Sequence, residues 1–454
     1  MKSRSKGFLH DFDPVNVWIG EGNMDIEKFI DKKRLEEIYG NDPDIISYQA
    51  KRFADAANGF EEHFGAAGDI HIFSAAGRSE IGGNHTDHQR GQVLAASLNI
   101  DSLAITSAVS ENVITLYSEG YDTFTIDLDN LDVVESEIGT TASLIRGVAS
   151  GFAKKGFKIG GFNAYVTSDV LGGSGLSSSA SFESLIGVIL SGLYNEDKVS
   201  TVDIAKIGQF AENKYMDKPC GLMDQMACSV GGFVHIDFAK SGDADPFFDD
   251  SYPKIERIDF DPEDYGYSLV ITDTKASHAD LTDDYASIPK EMKDVAAFFG
   301  KNVLTEVSEE EFVKQIPEIR KVTGDRAIMR ALHFFGENKR VEVEAESLKD
   351  KDFDRFLQKF ASSAKSSYEF LQNIYSTKYP SQQGVAISLA LADKLLSSPL
   401  KGVSRVHGGG FAGTIQTFVK TEHADEFIKA MDSFLGEGSA RKYRIRKYGC
   451  TRVI

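Results

Sequence analysis

The chain has 454 residues, 41% hydrophobic and 26% charged, a globular composition that excludes a disordered or fibrous protein and leaves room for two or three domains. Its formal net charge of −19 argues against general binding to nucleic acid or an anionic membrane, while permitting a locally positive pocket for a phosphate ligand. The opening "MKSRSKGFLHDFD" lacks a signal-peptide core, the apolar "SLIGVILSGLY" is broken by Gly and Ser well short of a membrane span, and Cys220, Cys228 and Cys450 show no ligand spacing; a soluble cytoplasmic protein without structural zinc or a disulfide framework is expected.

In chain order, "DIEKFIDKKRLEEIYG" and "QAKRFADAANGFEEHFG" read as amphipathic helices. The runs "DIHIFSA", "SLAITSAV" and "NVITLYS" follow, with β-branched residues in alternation, and read as strands. Between the first two lies "GRSEIGGNHTDHQRG", residues 77–91, where glycines, His85, His88, Asn84, Asp87 and Arg78 crowd together. Two histidines beside Asp87 suggest a metal, and a transition-metal site for hydrolysis is one reading of them.

The stretch "LGGSGLSSSASFESLIGVILSGLY" places Phe182, Leu185, Ile186, Ile189, Leu190 and Leu193 at helical spacing, so a helix is expected from near Ser178. The loop before it offers Gly173, Ser174, Gly175, Leu176, Ser177, Ser178 and Ser179. Unpaired N–H groups at a helix start attract anions, glycines let phosphates approach, and a serine oxygen suits Mg²⁺; a small-residue turn with Ser as its cap fits the same stretch. Downstream, "FAENKYMDKPCGLMDQ" carries Glu212 on a helix beginning near Thr201, then Asp224 among Leu222, Met223 and Met226. One carboxylate could hold a metal while the other acts as base, although either residue type is usually a solvated surface group.

Later, "SIPKEMKDVAAFFG", "DRFLQKFASSAKSSYEFLQNIY" and "GVAISLALADKLL" read as helices, and "YSLVITDT" and "TIQTFVK" as strands. Gly408, Gly410 and Gly413 in "GGGFAG" have dinucleotide-fingerprint spacing, but a strand follows where that fingerprint needs a helix. A tight glycine turn packed near the first loop fits better. The class is α+β, with mixed sheets and helices.

Together, "GRSEIGGNHTDHQRG", "GGSGLSSSAS", "CGLMDQ" and "HGGGFAG", in that order, resemble the motifs of the GHMP kinases, and within them the galactokinase branch, over about residues 70–420. The resemblance implies a two-domain fold with the active site in the cleft, and phosphorylation of a galactose-type sugar at its anomeric hydroxyl by MgATP. We divide the chain accordingly into a helical extension over 1–65, an N-terminal kinase domain over 66–235 and a C-terminal one over 236–454. By matching position, Asp224 is expected to accept the sugar proton and Arg78 to hold it ionised, with Ser179 and Glu212 as Mg²⁺ ligands and residues 173–179 as the ATP loop. His85, Asp87, Gly221 and Tyr285 match sugar-binding positions, which makes a metal there unnecessary.

One departure touches specificity. Asn84 stands where galactokinases carry a Glu that contacts the sugar C6 hydroxyl, and an amide, unlike a carboxylate, can donate to a C6 carboxylate. Galacturonate therefore competes with D-galactose, and Asn84→Glu is expected to favour galactose. His88 in "HTDHQ" also resembles plant galacturonokinase. A non-catalytic galactose sensor is a further alternative within the family. The partners implied are small molecules, ATP and the sugar, bound by a monomer.

Overall fold

The computed structural model describes residues 31–66, 69–170, 175–239, 245–276, 280–397 and 401–454. The expected helical residues before 31, and Gly173 and Ser174 of the glycine loop, lie outside them. The chain opens with helices α1 (Lys32–Tyr39) and α2 (Pro43–Phe64), then strands β1 (His71–Gly82), β2 (Gln92–Ala108), β3 (Val113–Ser118) and β4 (Phe124–Asp127). Helix α3 (Thr141–Lys154), strand β5 (Phe162–Ser168), helices α4 (Ser178–Tyr194), α5 (Thr201–Lys214) and α6 (Met223–Val230), and strands β6 (Phe233–Asp237), β7 (Lys254–Ile258) and β8 (Tyr267–Asp273) follow. Helices α7 (Thr282–Phe298), α8 (Glu309–Thr323), α9 (Asp325–Lys349), α10 (Phe353–Ser366) and α11 (Gly384–Leu396) come next, then β9 (Gly402–Val406), β10 (Thr414–Lys420), α12 (Ala424–Leu435), β11 (Ala440–Tyr443) and β12 (Cys450–Arg452).

The strands form an eight-stranded sheet, β12-β1-β2-β5-β3-β4 with β6 and β7 branching from β2, and a four-stranded sheet, β11-β8-β10-β9. Strand pairing is antiparallel except between β3 and β5. Strand β1 is buried from Ile72 to its end, which requires cover on both faces. Phe73 meets the core shared with α3, α4 and α5, while Ile72 meets Phe53 and Phe60 of α2 on the opposite face. Each of these two phenyls is fully buried, a contribution of roughly 1.5–3 kcal/mol apiece. The second sheet packs on α10 and on the far part of β2 through Leu269, Phe418, Phe356 and Leu94.

Helix starts follow local chemistry. Asp42 caps α2 by accepting from the N–H groups of Asp44 and Ile45 with Pro43 at the first position, and Ser200 caps α5 by accepting from Asp203. Two expectations are corrected. The stretch through Tyr375 does not continue as one helix: α10 ends at Ser366, a single π turn covers Ser367–Leu371, and Asn373 leaves the helix because its carbonyl accepts from Phe411 N at 2.5 Å and its amide binds Asn84. The division at residue 235 falls inside β6, and the large sheet runs on to Ile258 and takes back residues 450–452 as its edge. Nor do α1 and α2 stand apart as an extension, since they cover that sheet.

The N-terminal helices are fastened by one buried carboxylate, Asp101 in β2. It accepts from Arg52 of α2 at 2.6 Å, from Arg446 at 3.0 Å and from Tyr39 of α1 at 2.5 Å, with Ser74 of β1 as a fourth donor. Burial alone would raise its pKa, but the two guanidinium groups and the hydroxyl donors outweigh that and hold it at about 2. The stabilisation is complete above the unfolded carboxylate pKa of about 3.9 and is lost as the pH falls through about 2. Asp101→Asn, which leaves the buried Arg446 without a counter-charge and Arg52 with Asp169 alone, is expected to destabilise the fold by roughly 3 kcal/mol at neutral pH in urea unfolding. The gap to wild type should narrow in acid; a gap below about 1 kcal/mol at neutral pH contradicts the clamp.

Candidate active site

Helix α4 begins where its apolar spacing predicts, but Ser177 does not cap it. That residue sits in the left-handed region (φ 62°, ψ 64°) and makes no side-chain bond to the helix N–H groups. The first turn of α4 therefore keeps its donors for a ligand. Ser177 Oγ turns instead to Asp224 Oδ2.

Asp224 lies in the first turn of α6, and Arg78 reaches it from β1. Arg78 Nε donates to Oδ1 at 2.7 Å and Nη2 to Oδ2 at 2.8 Å, a bidentate pair, while Nη1 donates to the carbonyl of Gly175 at 2.6 Å. The backbone N of Arg78 also donates to the carbonyl of Leu176 at 3.2 Å, which ties the pair to the end of the glycine loop. Burial pushes the Asp224 pKa up, yet the Arg78 charge, its hydrogen bonds and that of Ser177 outweigh it and hold the carboxyl below its ordinary value. A carboxylate has about four acceptor positions. Three are taken, which leaves one on Oδ1 of a side chain 35% exposed to the cleft.

Glu212, near the end of α5, turns inward against the loop. Ser179 Oγ donates to Glu212 Oε1 at 2.9 Å, and Gln225 Nε2 donates to Glu212 Oε2 at 2.9 Å. The Lys218 ammonium also contacts Oε1. Behind them Glu183, one turn below Ser179, is pushed well above the carboxylate range by burial and by the charge of Glu212.

The chain turns tightly after β1. Gly83 has φ 88°, and a Cβ there would lie 2.4 Å from the Gln92 carbonyl, so glycine is required. His85 Nε2 faces the Gly409 carbonyl at 3.0 Å and must carry its hydrogen there, which removes that nitrogen as a metal lone pair. Burial, then the neighbouring His88, lowers the His85 pKa to about 4, so the ring is neutral. Tyr285 on α7 donates to the Gly410 carbonyl at 2.8 Å. The glycine turn between β9 and β10 thus orients both rings, in keeping with the expected packing of that turn beside the first loop. A Cβ on Gly221 would approach Asp87 Oδ2 to 2.3 Å, which places Asp87 against the segment leading to Asp224.

Asn84 is corrected. It is fully buried and does not present its amide to the cleft. Nδ2 donates to Glu80 Oε1 at 2.8 Å and to the Gly408 carbonyl at 2.6 Å, while Oδ1 accepts from Asn373 Nδ2 at 2.7 Å and from Ser367 Oγ at 3.4 Å. The residue clamps the loop after β1 to the turn that follows β9 in the second sheet. Of the residues the motifs single out, Arg78, Gly175, Leu176, Ser177, Ser179, Glu212 and Asp224 form one connected centre, Ser178 opens the helix beside it, and His85, Asp87, Gly221 and Tyr285 line the adjoining loops. Glu80, Asn373, Gln225 and Lys218 were not singled out. Glu80, four positions before Asn84, and Lys218 and Gln225, both inside the quoted Glu212 stretch, were the legible ones.

Residues 143–232 match the profile described as the GHMP kinases N terminal domain, and residues 58–108 match the galactokinase galactose-binding signature. A galactokinase of Actinobacillus pleuropneumoniae is 31% identical over 384 residues, covering 82% of this chain and 92% of that one. One of Glaesserella parasuis is 29% identical over 401 residues, covering 86% and 95%. The fold resembles Lactococcus lactis galactokinase complexed with galactose (TM-score 0.72, 22% identity, 88% of this chain and 99% of that one). It also resembles Methanococcus jannaschii mevalonate kinase (TM-score 0.56, 15% identity, 84% and 99%). At such identities these likenesses establish the fold.

The clamp reverses the expectation for Asn84→Glu. A carboxylate at 84 would face Glu80 Oε1 and the Gly408 carbonyl, both acceptors, in a closed site. We expect a loss of roughly 2–5 kcal/mol in stability and weaker turnover of every sugar, partly recovered when Glu80→Gln removes the opposing charge. A stable single variant with improved galactose turnover, measured by melting and by kcat/KM, contradicts the clamp.

Proposed function

This chain belongs to the galactokinase family of GHMP kinases, and from that premise we propose that it transfers the γ-phosphoryl group of ATP to the anomeric hydroxyl of D-galactose. The observation that carries this reading is the meeting of three separate stretches on one carboxylate: Arg78 beside the sugar loop, Ser177 of the phosphate loop, and Asp224 itself. As the sugar oxygen bonds to phosphorus and the bond to the ADP oxygen breaks, the C1 hydroxyl proton passes to the open position on Asp224. A carboxyl held below its usual pKa is a weak base. That suits phosphoryl transfer, where positioning and charge do most of the work and proton transfer typically adds about 10²–10⁴ in rate.

Arg78 keeps Asp224 ionised before transfer and offsets charge on the phosphoryl group during it. Ser179 Oγ and Glu212 Oε1 are hard oxygen donors 2.9 Å apart, and the contact of a lysine ammonium with both supports their fit to a cation. They would hold Mg²⁺, which when bound neutralises phosphate charge. Asp87 accepts from ring hydroxyls of the sugar, and His85 and Tyr285, oriented by the glycine turn, complete its pocket. The catalytic reading is preferred to a sugar sensor on the strength of the Arg78–Asp224 pair and of Ser177 and Ser179, which bond to Asp224 and Glu212. The Asn84 amide, engaged on Glu80 and Gly408, gives no reason to favour galacturonate. We infer a cytoplasmic monomer whose ligands are small molecules, in keeping with the net charge of −19.

A panel of free sugars with MgATP tests this. We expect turnover of D-galactose, a ³¹P signal coupled to the anomeric proton, and rejection of glucose, whose equatorial C4 hydroxyl loses Asp87. A kcat/KM favouring galacturonate by about tenfold or more, a difference of about 1.4 kcal/mol, overturns the galactose assignment, as does comparable turnover of glucose. Sugar binding with no ADP release supports the sensor.

A further inference from the structure

The pair Ser179 and Glu212 already has a cation on it. Lys218 Nζ contacts Glu212 Oε1 and lies 3.4 Å from Ser179 Oγ, so ammonium, hydroxyl and carboxylate oxygen form a closed triangle. The backbone arranges this: the Lys218 N–H donates to the Glu212 carbonyl at 3.1 Å, and Asp217, at φ 54°, turns the chain back over the end of α5. The two partners differ in freedom. Glu212 is 3% exposed and also held by Gln225, whereas the Lys218 side chain is 55% exposed. The carboxylate is therefore fixed, and the lysine can leave without dismantling anything around it.

We propose that Lys218 is the resident cation of the metal-binding pair, occupying the Glu212 and Ser179 oxygens until a divalent cation displaces it, and so setting how much metal the enzyme needs. The inference rests on the assignment of Ser179 and Glu212 as that pair. Two cations held on the same two oxygens would lie within a few ångströms of each other and repel, so metal binding at this pair drives the ammonium out. In the absence of ligands, the lysine offsets the Glu212 charge that would otherwise stand uncompensated near the buried Glu183.

The test is Mn²⁺ binding to nucleotide-free protein, followed by the loss of the free-ion electron paramagnetic signal, a readout independent of turnover. Lys218→Met, which keeps the side-chain length and removes the charge, is expected to bind Mn²⁺ at least about tenfold tighter than wild type, because no resident cation has to be displaced. Lys218→Arg, which keeps a competing cation, should stay close to wild type. Adding Glu212→Gln to Lys218→Met should abolish the gain, and melting curves verify that each variant is folded. If Lys218→Met binds Mn²⁺ no tighter than wild type, or not at all, the resident-cation inference is overturned. If it binds tightly but Glu212→Gln leaves that binding intact, the assignment of the metal pair itself has failed.

Discussion

Arg78 carries a permanent charge at a position only 7% exposed, and the arrangement of the site follows from the need to pair it. Its fork meets the carboxylate of Asp224 with two donors and the Gly175 carbonyl with a third. Because Asp224 lies in the first turn of α6 and Gly175 precedes α4, a single guanidinium sets the distance between the glycine loop, Asp224 and β1. Ser177 completes this at the cost of a left-handed backbone and a lost helix cap. The strain lies where the chemistry is and leaves the start of α4 open to an anion.

The same rule, that buried polar groups must find partners, joins the first sheet to the second. Asn84 and Glu80 are matched by Gly408, Asn373 and Arg405, and Ser79 by Gln416 and His407. Burial raises the Glu80 pKa to about 7 against the pull of Arg405, Arg78 and Asn84, and burial lowers that of His407 to about 3, with Arg78 and Arg405 adding to the shift. The seam thus carries less charge than its residue types suggest. It fixes the glycine turn whose carbonyls orient His85 and Tyr285, so the second sheet reaches the loop after β1 through backbone atoms as well as through side chains.

The legible part of this molecule was the local part. Apolar residues at helical spacing announced α4 and α11, alternating β-branched residues announced β10, and the strand after "GGGFAG" rejected a dinucleotide loop. Motif resemblance drew Arg78, Ser179, Glu212 and Asp224 together; Arg78 bonds to Asp224, and Ser179 bonds to Glu212. What stayed hidden depends on partners far along the chain. The role of Asn84 changes because Asn373 breaks out of a helical pattern 289 positions away to hold it. No periodicity encodes that residues 450–452 return to the edge of β1. Lys218 sits in a quoted motif, yet only the turn at Asp217 brings its ammonium back over Glu212.

We infer that the carboxylate paired with Arg78 is the group that receives the sugar proton. Asp224→Asn tests it most directly, because the change removes the charge and the base but almost no volume. Single-turnover phosphoryl transfer should be measured with saturating MgATP and galactose, beside equilibrium binding of ATP to the same protein. A rate reduced by about 10² or more with ATP affinity within a few-fold of wild type is the expected result. A rate within a few-fold of wild type would contradict the account and leave Arg78 and positioning as the source of catalysis.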